Sequence, residues 1–253
     1  MAAHPYLDHP APLAIAHRGG TEVAPENTVA AFRAAQELGF RYLETDVHLT
    51  SDGVLVAFHD DELDRVTDGR GVLNQLPWSE VRSARIGGVE PIPTLDELLE
   101  EFPDARFNID PKSDHVVVAL VAALRRHGAV QRVCIGAFSD ARLRRIRSLA
   151  GPDLCTAAGP REIAALASGS RLGRGDARPG GYQCLQVPVR HLKVEIVTPA
   201  FVAAAHAADR QVHVWTIDDP AEMHRLLDMG VDGILTDLPS VLRQVLTDRG
   251  VWE

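Results

Sequence analysis

Residues 211–237 read QVHVWTIDDPAEMHRLLDMGVDGILTD, and the fold turns on how this stretch is divided. Gln211 to Thr216 is a short apolar run rich in residues that suit a pleated, half-buried surface. Asp218-Asp219-Pro220 then supplies a helix start: an aspartate side chain accepts from the free N–H groups of a first turn, and proline fits the first helical position. An amphipathic pattern runs from Pro220 to Met229, Gly230 sits where such a helix stops, and Asp232 to Leu235 forms a second apolar run. The stretch is a βαβ unit.

The same rhythm repeats along the chain. Strands are expected at Leu13–His17, Arg41–Asp46, Arg106–Asp110, Arg132–Gly136, Asp153–Ala157 and Tyr182–Val187 as well. Helices are expected near Thr28–Leu38, Thr94–Phe102, His115–His127, Asp140–Leu149, Pro160–Ala167, Thr198–Ala208 and Pro239–Leu246, with Ser139 as one cap and Gly128 and Gly151 as stops. Eight strands each followed by a helix, in 253 residues with no linker or change of composition, predict an α/β fold of the (β/α)8 TIM-barrel type and one domain over residues 1–253. The stretch from Asp60 to Pro93 is too long for an ordinary βα loop and is expected to form a small excursion after the second strand, over the barrel mouth. A glycine- and arginine-rich stretch, Gly169 to Gly181, precedes a strand and reads as a solvated loop at the opposite end.

Composition narrows the function. A net charge of −9 argues against nucleic acid or an anionic membrane as a general partner, and no apolar run approaches the ~20 residues of a membrane span. The first ten residues lack the basic start and apolar stretch of a secretory signal, so a cytoplasmic location is expected. Cys134, Cys155 and Cys184, odd in number and far apart in apolar runs, read as buried reduced thiols rather than a disulfide or a zinc site. The oligomeric state is open.

Barrel enzymes carry their reacting groups at the C-terminal ends of strands. The first strand ends in His17-Arg18, the second in Glu44-Thr45-Asp46 and the third in Asp110-Pro111-Lys112. Side chains alternate along a strand, so Glu44 and Asp46 share one face, and so do Asp110 and Lys112. Three carboxylates at one mouth repel one another unless a positive group stands among them. One divalent cation answers that need, and all-oxygen ligation points to Mg²⁺, Ca²⁺ or Mn²⁺. Salt bridges to Lys112 and Arg18 are the other solution. Ser51-Asp52-Gly53 is a turn that folds the chain back and returns His59 to the mouth, so His17 and His59 bracket the acids as a general base and a general acid would. Arg18 and Lys112 suit the oxygens of a phosphodiester anion. His4, His9, His115 and His127 carry no such pattern.

At these residues the sequence resembles the glycerophosphodiester phosphodiesterase family. The matching pieces are AHRGG at 16–20, PENT at 25–28 with Ala31-Phe32, ETDV at 44–47, TSDG at 50–53, FHD at 58–60, PTL at 93–95, VWT at 214–216 and GVDGILTD at 230–237, in the family's order over nearly the whole chain. The resemblance implies a barrel, dependence on a divalent metal, and hydrolysis of a small phosphodiester to glycerol 3-phosphate and an alcohol such as choline or ethanolamine. Glu44, Asp46 and Asp110 would hold the metal, His17 and His59 would be the acid–base pair, Arg18 and Lys112 would bind the phosphate, and Trp215 would line the mouth. Asn27 reads as a helix cap that also supports the site from behind, and Asp232 and Asp237 as turn and cap residues. The sequence departs from the family's Asn-Ile-Glu-Ile-Lys pattern with Asn108-Ile-Asp-Pro-Lys112, which is similar to the related sphingomyelinase D and lysophospholipase D branch. A lysophospholipase D-like enzyme is therefore the rival, with Leu73, Leu76 and Trp78 of the excursion as an apolar patch. A barrel binding a phosphorylated metabolite without turnover, and a Schiff-base lyase using Lys112, are the remaining readings.

Overall fold

A computed structural model describes residues 4–10, 12–171 and 180–252. The barrel strands are β1 (Leu13–Ala16), β2 (Tyr42–Leu49), β3 (Arg106–Pro111), β4 (Val133–Ile135), β5 (Cys155–Thr156), β6 (Cys184–Pro188), β7 (Gln211–Trp215) and β8 (Gly233–Thr236). The helices that follow them are α1 (Val29–Glu37), α2 (Leu95–Glu101), α3 (Val116–Arg126), α4 (Asp140–Ala150), α5 (Pro160–Arg171), α6 (Pro199–Ala207), α7 (Pro220–Met229) and α8 (Pro239–Asp248). The strands pair in parallel in the order β5-β4-β3-β2-β1-β8-β7-β6. A parallel bridge between Ala157 and Cys184 brings β5 to β6 and the row into a ring. This is the (β/α)8 barrel the alternation predicts.

The two-residue period of the strands sorts side chains into two cores. Leu13 and Ile15 of β1, Tyr42 of β2, Cys134 of β4 and Cys184 of β6 face inward into one cluster. Ala16, Leu43, Val133, Ile135, Leu185 and Val187 face outward against the helices. Tyr6, on a short helical turn at Pro5–Leu7, enters the inner cluster and accepts a hydrogen bond at its backbone oxygen from the Tyr42 hydroxyl, 2.7 Å away. Arg106 donates to the same hydroxyl at 2.6 Å.

Several strands are shorter than the sequence suggests. The β5 pairing covers only Cys155–Thr156, and the Thr156 N–H donates to the Gln183 side chain at 2.9 Å. Helix caps follow the polar residues closely: Ser139 caps α4, Asp219 caps α7, and Thr94 with Glu97 forms a capping box on α2. The expectation for Asn27 needs correcting, since Thr28 caps α1, accepting from the Ala31 N–H at 3.1 Å. Most of the 169–181 stretch, residues 172–179, lies outside the described residues.

After β2 the chain turns at Ser51–Gly53 and returns as a short strand, Leu55–Ala57, antiparallel to β2. The excursion that follows builds a core of its own from Val56, Phe58, Leu63, Leu73, Val81, Ala84, Ile86 and Ile92. Leu73 is fully buried there, and Leu76 and Trp78 pack against it, so they do not form the open apolar patch expected for a lipid substrate. The excursion stabilises itself by burying them.

Phe107 of β3 is fully buried and meets Phe32 of α1 and Phe102 after α2 edge-on or tilted, at 6.2 and 6.5 Å. Phe107→Ala is expected to destabilise the protein by ~3–5 kcal/mol, measured by urea unfolding; a loss under 1 kcal/mol would mean that this layer does not hold helices to barrel.

Candidate active site

Parallel register puts the acids together. Glu44 stands opposite Asn108, and Asp46 opposite Asp110, across the β2–β3 pair. Lys112, one residue past β3, places its Nζ 2.6 Å from Asp46 Oδ1 and 2.9 Å from Asp110 Oδ2. On the other side, Asn27 donates to Asp46 Oδ2 at 3.3 Å, and its own oxygen accepts from the Thr45 hydroxyl at 2.8 Å. Arg18 Nε lies 3.2 Å from the same Asp46 oxygen, although its N–H is not aimed along a hydrogen bond. The Arg18 guanidinium also pairs with Glu26 at 3.0 Å, and its backbone N–H donates to Glu44 Oε2 at 3.0 Å.

The two carboxylates of β2 are charged to different extents. Burial pushes Asp46 up, but Lys112 and Arg18 outweigh it and hold the group below the usual carboxylate range. Glu44 lacks such a partner: burial and then the Asp46 charge raise it to about 7. Burial also raises Asp110, against the pull of Lys112. Salt bridges thus account for Asp46 and Asp110, while Glu44 is short of positive charge. An oxygen-ligated cation beside Glu44 fits that deficit and the all-oxygen donor set. Among the described residues, the one His, Cys, Asp or Glu trio with ligand atoms all within 4.8 Å is Cys134, Cys155 and Cys184, while Asp46 and Asp110 are bridged by Lys112.

Each candidate histidine is held by a carboxylate. His17 donates through Nδ1 to Asp237 Oδ1 at 2.6 Å, with its Nε2 3.8 Å from Glu44. Burial works against the charged ring, yet Glu44 and Asp237 together raise His17 above its ordinary value. His59 Nδ1 lies 2.6 Å from Asp60 Oδ1. Arg65 forks onto Asp60 and also binds Glu26 at 2.7 Å; its hydrogen bond to Asp60 pushes that carboxyl down to about 2. An ionised Asp60 only accepts, so His59 carries its proton on Nδ1 and presents Nε2 outward.

These side chains line one cavity of about 260 Å³ at the C-terminal mouth. His17, Arg18, Glu44, Asp46, His59, Asp110 and Lys112 make its polar half, and Phe138, Ile163 and Trp215 belong to an apolar half. Phe138 stands edge-on to Trp215, with ring centroids 5.7 Å apart, and is 73% exposed.

A model of the glycerophosphoryl diester phosphodiesterase family matches residues 17–241. The chain belongs to this family. A probable glycerophosphodiester phosphodiesterase 2 of Mycobacterium tuberculosis is 42% identical over 255 residues, covering 98% of this chain and 96% of its own. A glycerophosphodiester phosphodiesterase of Caldanaerobacter subterraneus subsp. tengcongensis is 32% identical over 263 residues, covering 94% of this chain and 99% of its own. Among solved structures, a putative glycerophosphoryl diester phosphodiesterase from Silicibacter pomeroyi superposes with a TM-score of 0.83 at 27% identity, over 99% of this chain and 100% of that one. An Oleispira antarctica phosphodiesterase, solved with the product sn-glycerol-3-phosphate, superposes with a TM-score of 0.78 at 26% identity, over 94% and 97% of the two chains.

In this family member the cavity gathers every residue singled out in the sequence: His17, Arg18, Glu44, Asp46, His59, Asp110, Lys112 and Trp215, with Asn27 directly behind Asp46. Asp237, Asp60, Glu26, Arg65 and Phe138 are new participants. Asp237 is no helix cap, since Leu238 occupies the cap position of α8 with no side-chain bond. Asp60 adjoins His59 in the chain, and that adjacency is a signal the sequence does carry. Glu26 is marked only as part of the PENT piece of the family resemblance, and Phe138 gives no signal, because a loop positions it. Asp232 keeps its turn role, accepting from Val212 N–H and His206.

Since the folded-state value of His17 is raised, its charged form stabilises the fold below the ordinary histidine value and that contribution fades as pH rises through the raised one. Asp237→Asn is expected to lower the His17 midpoint in an NMR titration of the imidazole protons and to narrow this window. An unchanged midpoint would show that Asp237 does not govern the ring.

Proposed function

We propose that the protein hydrolyses glycerophosphodiesters to glycerol 3-phosphate and an alcohol, with one divalent cation bound and His17 and His59 moving the protons. Membership of the family makes the chain a phosphoric diester hydrolase. The observation that carries the finer reading is the pairing of two carboxylate-anchored histidines across one cavity from two cations and three acids.

Glu44, Asp46 and Asp110 would hold the cation, Mg²⁺ or Ca²⁺ ahead of Mn²⁺, with Glu44 short of positive charge at about 7. When bound, the ion polarises the phosphoryl group and offsets the charge of these acids. Arg18 and Lys112 bind the phosphoryl oxygens and orient the diester, the guanidinium as a fork and the ammonium as a point charge. His59, with its Nδ1 proton held by Asp60, accepts a proton at Nε2 from the attacking water. His17, favoured in its charged form by Glu44 and Asp237, donates from Nε2 to the departing alkoxide oxygen. The phosphorus–oxygen bond to the alcohol breaks as that to water forms, and both products leave with their protons accounted for. Trp215 faces the leaving group, where an aromatic face suits a quaternary ammonium. The substrate in this reading is a small molecule; no helix among the described residues is long and apolar enough to cross a membrane.

The exposed Phe138 beside Trp215 also favours one second reading, a lysolipid whose chain lies across this lip. Phe138→Ala is expected to leave turnover of glycerophosphocholine within about threefold; a collapse of lysolipid turnover with that pattern would establish the second activity.

The direct test is glycerol 3-phosphate release from glycerophosphocholine by metal-stripped protein, with and without added Mg²⁺, Ca²⁺ or Mn²⁺. One ion is expected to restore activity, and His17→Ala and His59→Ala to lower kcat by about 100-fold or more. Full activity after stripping would refute the cation, and near-normal activity in either variant would refute its proton-transfer role.

A further inference from the structure

Below the catalytic cavity the barrel encloses a second cluster of reactive groups. Cys134, Cys155 and Cys184 come from the adjacent strands β4, β5 and β6, and all three are buried. Each lies two residues before a residue that lines the cavity: Gly136, Ala157 and Gln186. Alternate residues share a face, so the three thiols form the layer directly beneath the cavity floor. Their sulfurs all lie within 4.8 Å of one another, and Cys134 Sγ is 3.7 Å from Cys184 Sγ. Two thiolates on one tetrahedral zinc, with Zn–S of ~2.3 Å, stand about 3.8 Å apart.

A fourth donor stands beside this layer, outside the 4.8 Å group that the three sulfurs form. His213 of β7 is fully buried, and its Nδ1 has no hydrogen-bond partner among the described residues. The hydrogen bonds around it determine its tautomer. Gln211 donates through its amide nitrogen to the Leu7 carbonyl at 3.4 Å, which turns Gln211 Oε1 toward His213 Nε2 at 3.1 Å. A carbonyl oxygen only accepts, so Nε2 carries the proton and Nδ1 holds a free lone pair. The Cδ2 edge of the ring lies against Gly233 of β8, where an added Cβ would come within 2.9 Å. The Nδ1 edge therefore faces away from β8, toward β6 and Cys184. A histidine with one nitrogen anchored by an outer partner and the other bare is the state in which imidazole binds metal.

We propose that Cys134, Cys155 and Cys184 bind one zinc ion inside the barrel, separate from the catalytic cavity, with a rotation of the His213 ring bringing its Nδ1 in as the fourth ligand. Three thiolates and an imidazole select a soft or borderline cation over Mg²⁺ or Ca²⁺. Binding releases the three thiol protons, and the site keeps one net negative charge. Tyr6, in the same inner cluster, has a buried hydroxyl with no partner among the described residues, a donor that a metal-bound thiolate would accept. The ion would join β4, β5, β6 and β7, the stretch that includes the Ala157–Cys184 bridge between the two ends of the strand row. Its role there is structural. Because all four donors are fully buried, the ion enters as the chain folds.

The test uses the full chain, produced with zinc in the medium and dialysed against EDTA, which strips a carboxylate site that opens through the cavity mouth. Native mass spectrometry is expected to count one zinc per chain, unchanged in Asp46→Asn and absent in Cys184→Ala and His213→Leu. The wild-type chain produced with Co²⁺ is expected to show thiolate-to-cobalt charge transfer in the near ultraviolet and tetrahedral bands in the visible, a readout that needs no variant to fold. Folded wild-type protein with no retained zinc and no cobalt–thiolate band would overturn the proposal and leave the cysteines as packing. A zinc count lost in Asp46→Asn but kept in Cys184→Ala would overturn it as well, by assigning the ion to the upper cavity.

Discussion

Asp46 is a carboxylate on the inward face of a barrel strand, 2% exposed, and the upper half of the molecule is arranged around it. An ionised group that far from water costs several kcal/mol unless it is paired and hydrogen-bonded. Lys112, Arg18 and Asn27 meet that demand from three separate segments. The demand also shapes the backbone. Arg18 and Asn27 both hold positive φ, 52° and 58°, and the Asn27 N–H donates to the Arg18 carbonyl at 2.8 Å. A left-handed residue other than glycine costs roughly 1–2 kcal/mol. Gly19 lies between them in the chain, where a Cβ would come within 2.8 Å of the Phe32 nitrogen. The strain is local, and it leaves Arg18 and Asn27 both facing one buried oxygen pair.

Strand parity then divides the barrel interior into layers. At the mouth the inward positions carry Glu44, Asp46 and Asp110; one step lower they carry thiols and His213; at the base Leu13, Tyr42 and Tyr6 close the channel. Stability and chemistry separate along the same axis. The outer core of aliphatic and aromatic residues joins helices to strands, while loops at the mouth place charge where the reaction needs it. The excursion after β2 follows the same logic in miniature, burying its own apolar residues in a satellite core while supplying His59, Asp60 and Arg65 to the rim.

How legible the site was depends on distance along the chain. Glu44 and Asp46 lie two apart in one strand, and Asp110 and Lys112 two apart in the next, so period-two alternation alone puts each pair on one face. Asp60 adjoins His59, a separation short enough for the chain itself to keep the two side chains within reach. Asp237 is different, because a polar residue just ahead of a proline-led helix has the pattern of a cap. Only closure of β8 onto β1 carries it across 220 positions to His17. Phe138 and Glu26 are loop residues whose direction no periodicity encodes. The thiols were legible as buried, but nothing in their spacing shows that three successive strands bring their sulfurs to one point.

What the chain determines by itself is therefore what repeats: eight apolar runs of period two, the amphipathic helices between them, their caps and stops, and the identity of the groups at each strand end. These are local properties, decided within a few residues by backbone geometry and by which side chains water excludes. What only the tertiary structure decides is which strand ends become neighbours, and so which charges share an environment. Glu44 and Asp46 have the same functional group two residues apart, yet one is raised to about 7 and the other is held down. The difference comes from Lys112 and Arg18, whose charged side chains pair with Asp46 and not with Glu44. That choice depends on the register of β2 against β3 and on the turn after β1, and register is a property of the closed barrel rather than of any one segment.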